Sequence, residues 1–162
     1  MRYTYHKYMR ISKLRGFTIL ELLVVIAAVG VLAAVAIYSL NVTRAMSRDS
    51  KRVSDVSVIR AALTQHWLQK ATYPMAEPVD LGRAGTGAEV LAGNGWVAQD
   101  QAFEPIFLQR IPTGPKAGEY YRYHGSTQGY SLKFTTERET AYGPPGTYYA
   151  HSGGVDTEDA ER

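Results

Sequence analysis

The sequence predicts an α+β protein in which one long N-terminal α-helix packs on a small antiparallel β-sheet. Three observations carry this prediction. Residues 17–40 are almost wholly apolar. From Val31 to Tyr73 no glycine or proline interrupts a helical pattern. Further on, Tyr130, Leu132 and Phe134 alternate with Ser131, Lys133 and Thr135, the period-2 signature of a strand with one buried face.

A chain of 162 residues accommodates one ordinary domain plus an appendage. Hydrophobic residues make up 45% and charged residues 20%, which argues against wholesale disorder. The absence of cysteine excludes disulfide staples, thiolate zinc sites and cysteine nucleophiles. The net charge of +3 is unevenly spread. Residues 1–16 contain Arg2, Lys7, Arg10, Lys13 and Arg15 and no acid, and without them the chain is mildly acidic. Removing that segment would therefore weaken any general attraction to nucleic acid.

Taken in order, residues 1–16 form a basic leader ending in Gly16. Residues 17–40 read as a membrane-spanning helix with a single charge, Glu21. Its 24 residues give roughly 36 Å of helix, enough for a hydrocarbon layer of about 30 Å. The basic cluster before it predicts the N-terminus in the cytoplasm and the remainder outside. Residues 41–73 continue as an amphipathic helix whose apolar stripe is Val53, Val56, Ile59, Leu63 and Trp67. Arg48, Asp49, Lys51, Arg52, Asp55 and Arg60 are expected mainly on other faces. The stop is expected at Tyr73-Pro74, because the residue before proline avoids the α region.

Residues 74–153 supply the sheet. Glu119–His124 reads as the antiparallel neighbour of the strand at 130–135, with 125–129 as the turn. Thr147–His151 is a possible third strand, Ala102–Arg110 a short helix or turn, and 75–100 a loop. Residues 154–162 are expected as a flexible tail.

The stretch Lys13–Ile37, KLRGFTILELLVVIAAVGVLAAVAI, closely resembles the N-terminal signature of type IV pilins and the related pseudopilins of type II secretion. The resemblance continues more weakly through the helix end at 62–74. It implies the pilin fold, and it implies cleavage after Gly16 by a prepilin peptidase on the cytoplasmic face. The freed Phe17 amine would then be N-methylated. It also implies that Glu21 is an assembly residue. A carboxylate in a membrane helix is costly, and in a bundle of copies Glu21 would neutralise the Phe17 amine of a neighbour and set axial register.

The expected partners are further copies in a helical filament, the prepilin peptidase, an inner-membrane assembly platform, and membrane lipid before assembly. The precursor would sit in the inner membrane and end in an extracellular pilus or a periplasmic pseudopilus. A type IV pilin is the leading reading. A pseudopilin of a type II secretion or competence system is the alternative, followed by a membrane-anchored or secreted binding domain. Ordinary secretion competes through Ala34-Val35-Ala36, an A-x-A site that would leave Ile37 first. The sequence departs from the resemblance at Tyr38, where proline is usual, and in having no cysteine pair. A start at Met9 would give a shorter leader.

Other constellations carry little. His6, His66, His124 and His151 have no ligand spacing, so no metal or cofactor is expected. Some pseudopilins bind calcium in a C-terminal loop, but Asp156, Glu158, Asp159 and Glu161 lie in the expected tail, which disfavours a preformed site. Gly82, Gly85 and Gly87 read as a flexible loop. Tyr120, Tyr121, Arg122, Tyr123 and His124 could stack on single-stranded nucleic acid, a weak reading against half-buried sheet residues. Asn41-Val42-Thr43 is a glycosylation sequon inside the expected helix. Nothing suggests catalysis, and an enzyme is the least supported class.

Overall fold

The computed structural model describes residues 16–162. The basic side chains of the expected leader lie outside the described residues. The chain divides into two units between Leu40 and Asn41. One α-helix, α1 (Ile19–Lys70), contributes to both, and it is continuous through Gly30 and Tyr38. In the first unit every described residue is exposed, and this part of α1 is long and apolar enough to cross a membrane.

The second unit is built on the polar half of α1. Ala45, Asp49, Arg52, Val56, Ile59, Leu63 and His66 are buried, and their spacings of four and three make one continuous face. Three members of the expected stripe, Val56, Ile59 and Leu63, lie on that face, whereas Trp67 is 44% exposed. The expectation for the charges is corrected: Asp49, Arg52 and Asp55 are buried on the core side. Such burial is tolerable because each finds a charged or hydrogen-bonding partner.

α1 ends three residues before Tyr73. Ala71 takes a left-handed conformation at φ 56°, and its N–H donates to the Trp67 carbonyl at 2.7 Å. The buried His66 Nδ1 donates to the Thr72 carbonyl at 2.9 Å, fixing the chain as it leaves the helix.

The strands are β1 (Ala76–Asp80), β2 (Val90–Ala92), β3 (Gly95–Val97), β4 (Ile106–Leu108), β5 (Arg122–Gly125), β6 (Tyr130–Thr136), β7 (Gly146–Ala150) and β8 (Val155–Asp156). They form a five-stranded antiparallel sheet ordered β1-β5-β6-β7-β8 and a three-stranded sheet ordered β3-β2-β4. The α+β prediction holds, with two sheets in place of one.

Residues 75–100, read as loop, contain β1, β2 and β3. Strands of three to five residues are too short to show a period, and β2 is buried at all three positions. Ala102–Arg110 holds β4 instead of a helix. Residues 154–162, read as a tail, carry β8, which pairs with β7.

The core lies between α1 and the inner face of the large sheet. Val56, Ile59 and Leu63 meet Tyr123, Tyr130, Leu132, Phe134 and Tyr148. Fully burying such side chains stabilises the unit by about 1.5–3 kcal/mol each. Aromatic rings close one end of it, with Tyr73 edge-on to Tyr130 at 5.0 Å and Trp96 edge-on to Tyr123 at 5.3 Å. Tyr121 and Tyr123 are 1% and 0% exposed, so neither ring is free to stack on a nucleic-acid base.

A charged hub fastens α1 to two loops. Arg52, 2% exposed, holds Glu119 through Nε at 2.5 Å and Nη2 at 2.9 Å. Its Nη1 donates to Asp49 at 2.7 Å and Glu137 at 2.8 Å. Asp49 in turn accepts the backbone N–H groups of Glu137 and Arg138. Arg48 makes a fork on Glu137 at 2.9 and 2.6 Å, and Tyr121 donates to Asp55 at 2.8 Å.

The hydrogen bonds from Arg48, helped by Arg52 and Lys116, hold the Glu137 carboxyl well below the usual carboxylate range. Those from Arg52 lower Glu119 in the same way. Burial pushes the His66 imidazole below its ordinary value. All three groups bind a proton less readily folded than unfolded. Their stabilising share is therefore present above the unfolded values, about 4.3 for Glu and 6.5 for His, and is lost as pH falls. The thermal midpoint should drop between pH 6 and pH 3, and Glu137→Gln should flatten the lower part of that curve in a calorimetric scan.

Candidate functional site

The N-terminal junction is built by local chemistry. Gly16, Phe17 and Thr18 precede the helix, and α1 begins at Ile19. Thr18 is the residue that starts it. The Glu21 N–H donates to Thr18 Oγ1 at 3.2 Å, while Glu21 Oε2 accepts the Thr18 N–H at 2.9 Å and the Thr18 hydroxyl at 3.0 Å. This reciprocal pair is a capping box, which satisfies two backbone donors that a helix start leaves unpaired. The Leu22 N–H reaches the Thr18 carbonyl at 3.2 Å, closing the first turn.

Two consequences follow for chemistry. The Gly16–Phe17 peptide lies in non-helical, exposed backbone, which a protease can take up without unwinding a helix. A Cβ at Gly16 would meet nothing within 4 Å, so space in the chain itself does not demand glycine there. Phe17 is 80% exposed. Glu21 lies within the first turn of the helix, where its charge also suits the helix dipole.

Gly16, Phe17 and Glu21, expected from the sequence, thus fall in one six-residue stretch. Thr18 was missed. Its signal was present as T-x-x-E at 18–21, the spacing of a capping box ahead of an apolar run.

No group of three or more His, Asp or Glu among the described residues is placed to hold a metal ion. The acidic residues near the C-terminal end have protein partners: Arg162 reaches Asp156 at 2.9 Å and Glu158 at 2.7 Å, and Ser131 donates to Asp159 at 2.6 Å. Gly82, Gly85 and Gly87 all take positive φ, as turn glycines do.

Comparison with known proteins agrees with this geometry. Residues 11–37 match the prokaryotic N-terminal methylation motif, which spans the whole junction. That motif places the chain in the type IV pilin and pseudopilin superfamily. Over most of its length it is similar to type II secretion system core protein G of several bacteria. The Klebsiella michiganensis protein is 28% identical over 141 residues, covering 86% of this chain and 92% of that one. The Klebsiella pneumoniae protein is 30% identical over 122 residues, covering 73% and 83%. The Vibrio cholerae protein is 24% identical over 139 residues, covering 85% and 90%. The chain belongs to the family of type II secretion system core protein G. No solved structure gives a significant match. Between the two filament readings, these relatives favour the pseudopilin over the type IV pilin that the junction alone put first.

Proposed function

We propose that the chain is a structural pseudopilin of a type II secretion system. It is made as a precursor anchored in the inner membrane by residues 17–40, with its basic leader in the cytoplasm. A prepilin peptidase cuts after Gly16 and methylates the Phe17 amine. Copies are then drawn from the membrane by an assembly platform into a periplasmic helical filament. In that filament the apolar helices bundle, and Glu21 of one copy neutralises the Phe17 amine of another.

The carrying observation is the similarity to core protein G over 83% of the Klebsiella pneumoniae chain. The junction supports it in that Gly16 and Phe17 lie on exposed backbone ahead of α1 and Glu21 lies in its exposed first turn. The exposed aliphatic surface of α1 before Asn41 supports bundling. Leu20, Leu32, Val35 and Ile37 are each more than 60% exposed in the single chain, and such a surface requires lipid or neighbouring helices.

Deleting the gene should abolish release of secreted exoproteins into the medium, leaving them in the periplasm, while surface fibres stay unchanged by electron microscopy. Loss of long surface fibres with secretion intact would return the reading to a type IV pilin.

A further inference from the structure

The face of the large sheet turned away from α1 carries one row of side chains in register across all five strands: Asp80, Arg122, Lys133, Tyr149 and Asp156. The acids at its two ends have cations of their own, Asp80 with Arg83 at 3.3 Å and Asp156 with Arg162 at 2.9 Å. Arg122 and Lys133 in the middle are exposed, and neither side chain has a hydrogen-bond or ion-pair partner among the described residues. Like charges directly opposite one another on paired strands repel. An anion placed on this face would relieve that repulsion. Beside the two cations is a hollow of about 210 Å³, bounded by Tyr120, Phe134 and Thr135 among others. A cavity of about 150 Å³ already accepts benzene, so this one has room for a phenyl ring.

The same chain presents matching groups elsewhere. Asp100, Phe103 and Glu104 stand exposed on the segment between β3 and β4, Phe103 at 71%. Glu104 Oε2 accepts the Ile106 N–H at 3.1 Å, but neither carboxylate has a cation partner among the described residues. The segment is tied to the turn between β2 and β3. Asn94 Nδ2 donates to the Gln101 carbonyl at 3.0 Å, and Asn94 Oδ1 accepts the Phe103 N–H at 3.3 Å. The Gly93 N–H donates to the Phe103 carbonyl at 3.0 Å. A Cβ on Gly93 would lie 2.9 Å from the Glu104 carbonyl, so glycine is what lets the segment come this close. A ring displayed on fixed backbone loses little freedom on docking.

We propose that the Asp100–Glu104 segment of one copy docks on the outer sheet face of a second copy, its two carboxylates on Arg122 and Lys133 and the Phe103 ring in the hollow beside them. The contact rests on the pseudopilin reading, in which α1 brings copies together. Its two sides are different surfaces of one chain, so it is head-to-tail, the kind of contact that repeats along a filament. Exposed ion pairs are individually weak. Bundled helices hold the copies at high effective concentration, and complementary charge then fixes how one sheet-bearing unit is turned against the next.

The test uses the full chain with its secretion system in cells, where introduced thiols are the only ones in a chain without cysteine. Chains carrying Asp100→Cys and chains carrying Lys133→Cys are co-expressed, and filaments sedimented from the envelope fraction are treated with a short bis-maleimide. A linker is needed because an ion pair leaves Cβ atoms farther apart than a disulfide allows. A cross-linked dimer should appear only when both chains are present, and both changes on one chain should give a ladder. Lys133→Gln should lower the recovered filament about fivefold. It should leave the thermal midpoint of the detergent-held chain at or above that of the wild type, because it removes a cross-strand repulsion; a midpoint that falls with the filament yield would mark Lys133 as merely structural. Arg122→Glu with Lys133→Glu should lose filament too, and adding Asp100→Lys and Glu104→Lys to that chain should restore it to within about twofold. Filaments whose copies do not cross-link, a linker product with an exported protein in place of a second copy, or a fourfold reversal that restores nothing would overturn the contact and leave the pseudopilin reading standing. A wild-type chain found in no filament would overturn both.

Discussion

Replacing Glu21 with alanine is expected to abolish filament assembly while cleavage after Gly16 and methylation of Phe17 continue. In the proposed filament the carboxylate would have two tasks, which this residue change removes together. It caps the helix with Thr18, and in the assembled state it is the only anion available in residues 17–40 to neutralise a Phe17 amine. An unpaired amine among packed aliphatic helices would be a buried charge without compensation. The fraction of chain in sheared or cross-linked filaments should therefore fall more than about a hundredfold.

Glu21→Gln separates the two tasks. Glutamine can keep the reciprocal bonds to Thr18, since both residue types serve in a capping box, but it carries no charge. If the charge is what assembly needs, the glutamine variant fails to assemble much as alanine does. If it assembles at the wild-type level, helix capping is the function of Glu21 and the pairing is refuted.

The second large effect is expected at Arg52. Arg52→Leu leaves Asp49 buried and Glu119 and Glu137 facing each other without the guanidinium that joins them. Breaking such a buried group by removing one partner costs about 3–5 kcal/mol. The lower end applies here, because Asp49 keeps two backbone donors and Glu137 keeps Arg48 and Lys116. For a unit of this size the thermal midpoint should fall on the order of 10 °C, measured by near-ultraviolet circular dichroism of the detergent-held chain.

Arg52→Lys should recover little of this. An ammonium cannot make the two-point contact with Glu119 and reach Asp49 and Glu137 as well. A lysine variant as stable as wild type would show that charge alone, without the fork, fastens α1 to the loops.

These residues also show what was readable in the amino-acid order. The junction was legible because its signals are local. Glycine, phenylalanine and glutamate fall within six residues, and even the overlooked Thr18 announces itself through the spacing to Glu21. The helix was legible because 43 residues pass without a breaker. β5, β6 and β7 were legible through alternation or composition, although Ser131 breaks the pattern under a cover that lies 28 residues away.

What failed was non-local. Arg52 looks like a surface charge until Glu119 and Glu137, 67 and 85 residues further on, are brought to it. The C-terminal acids look like a solvated tail until His124 on β5, Ser131 on β6 and His151, just past the end of β7, are brought to them. The three-residue strands β2, β3 and β4 are fixed by pairing with each other, which no window of that length can display.

Fragmentation mass spectrometry of the chain purified from the membrane fraction tests the processing most directly. The expected result is a mature chain whose first residue is N-methylated Phe17, with everything through Gly16 gone. A chain that still begins at Met1 or Met9, or one that begins at Ile37 after an Ala34-Val35-Ala36 cut, would contradict it.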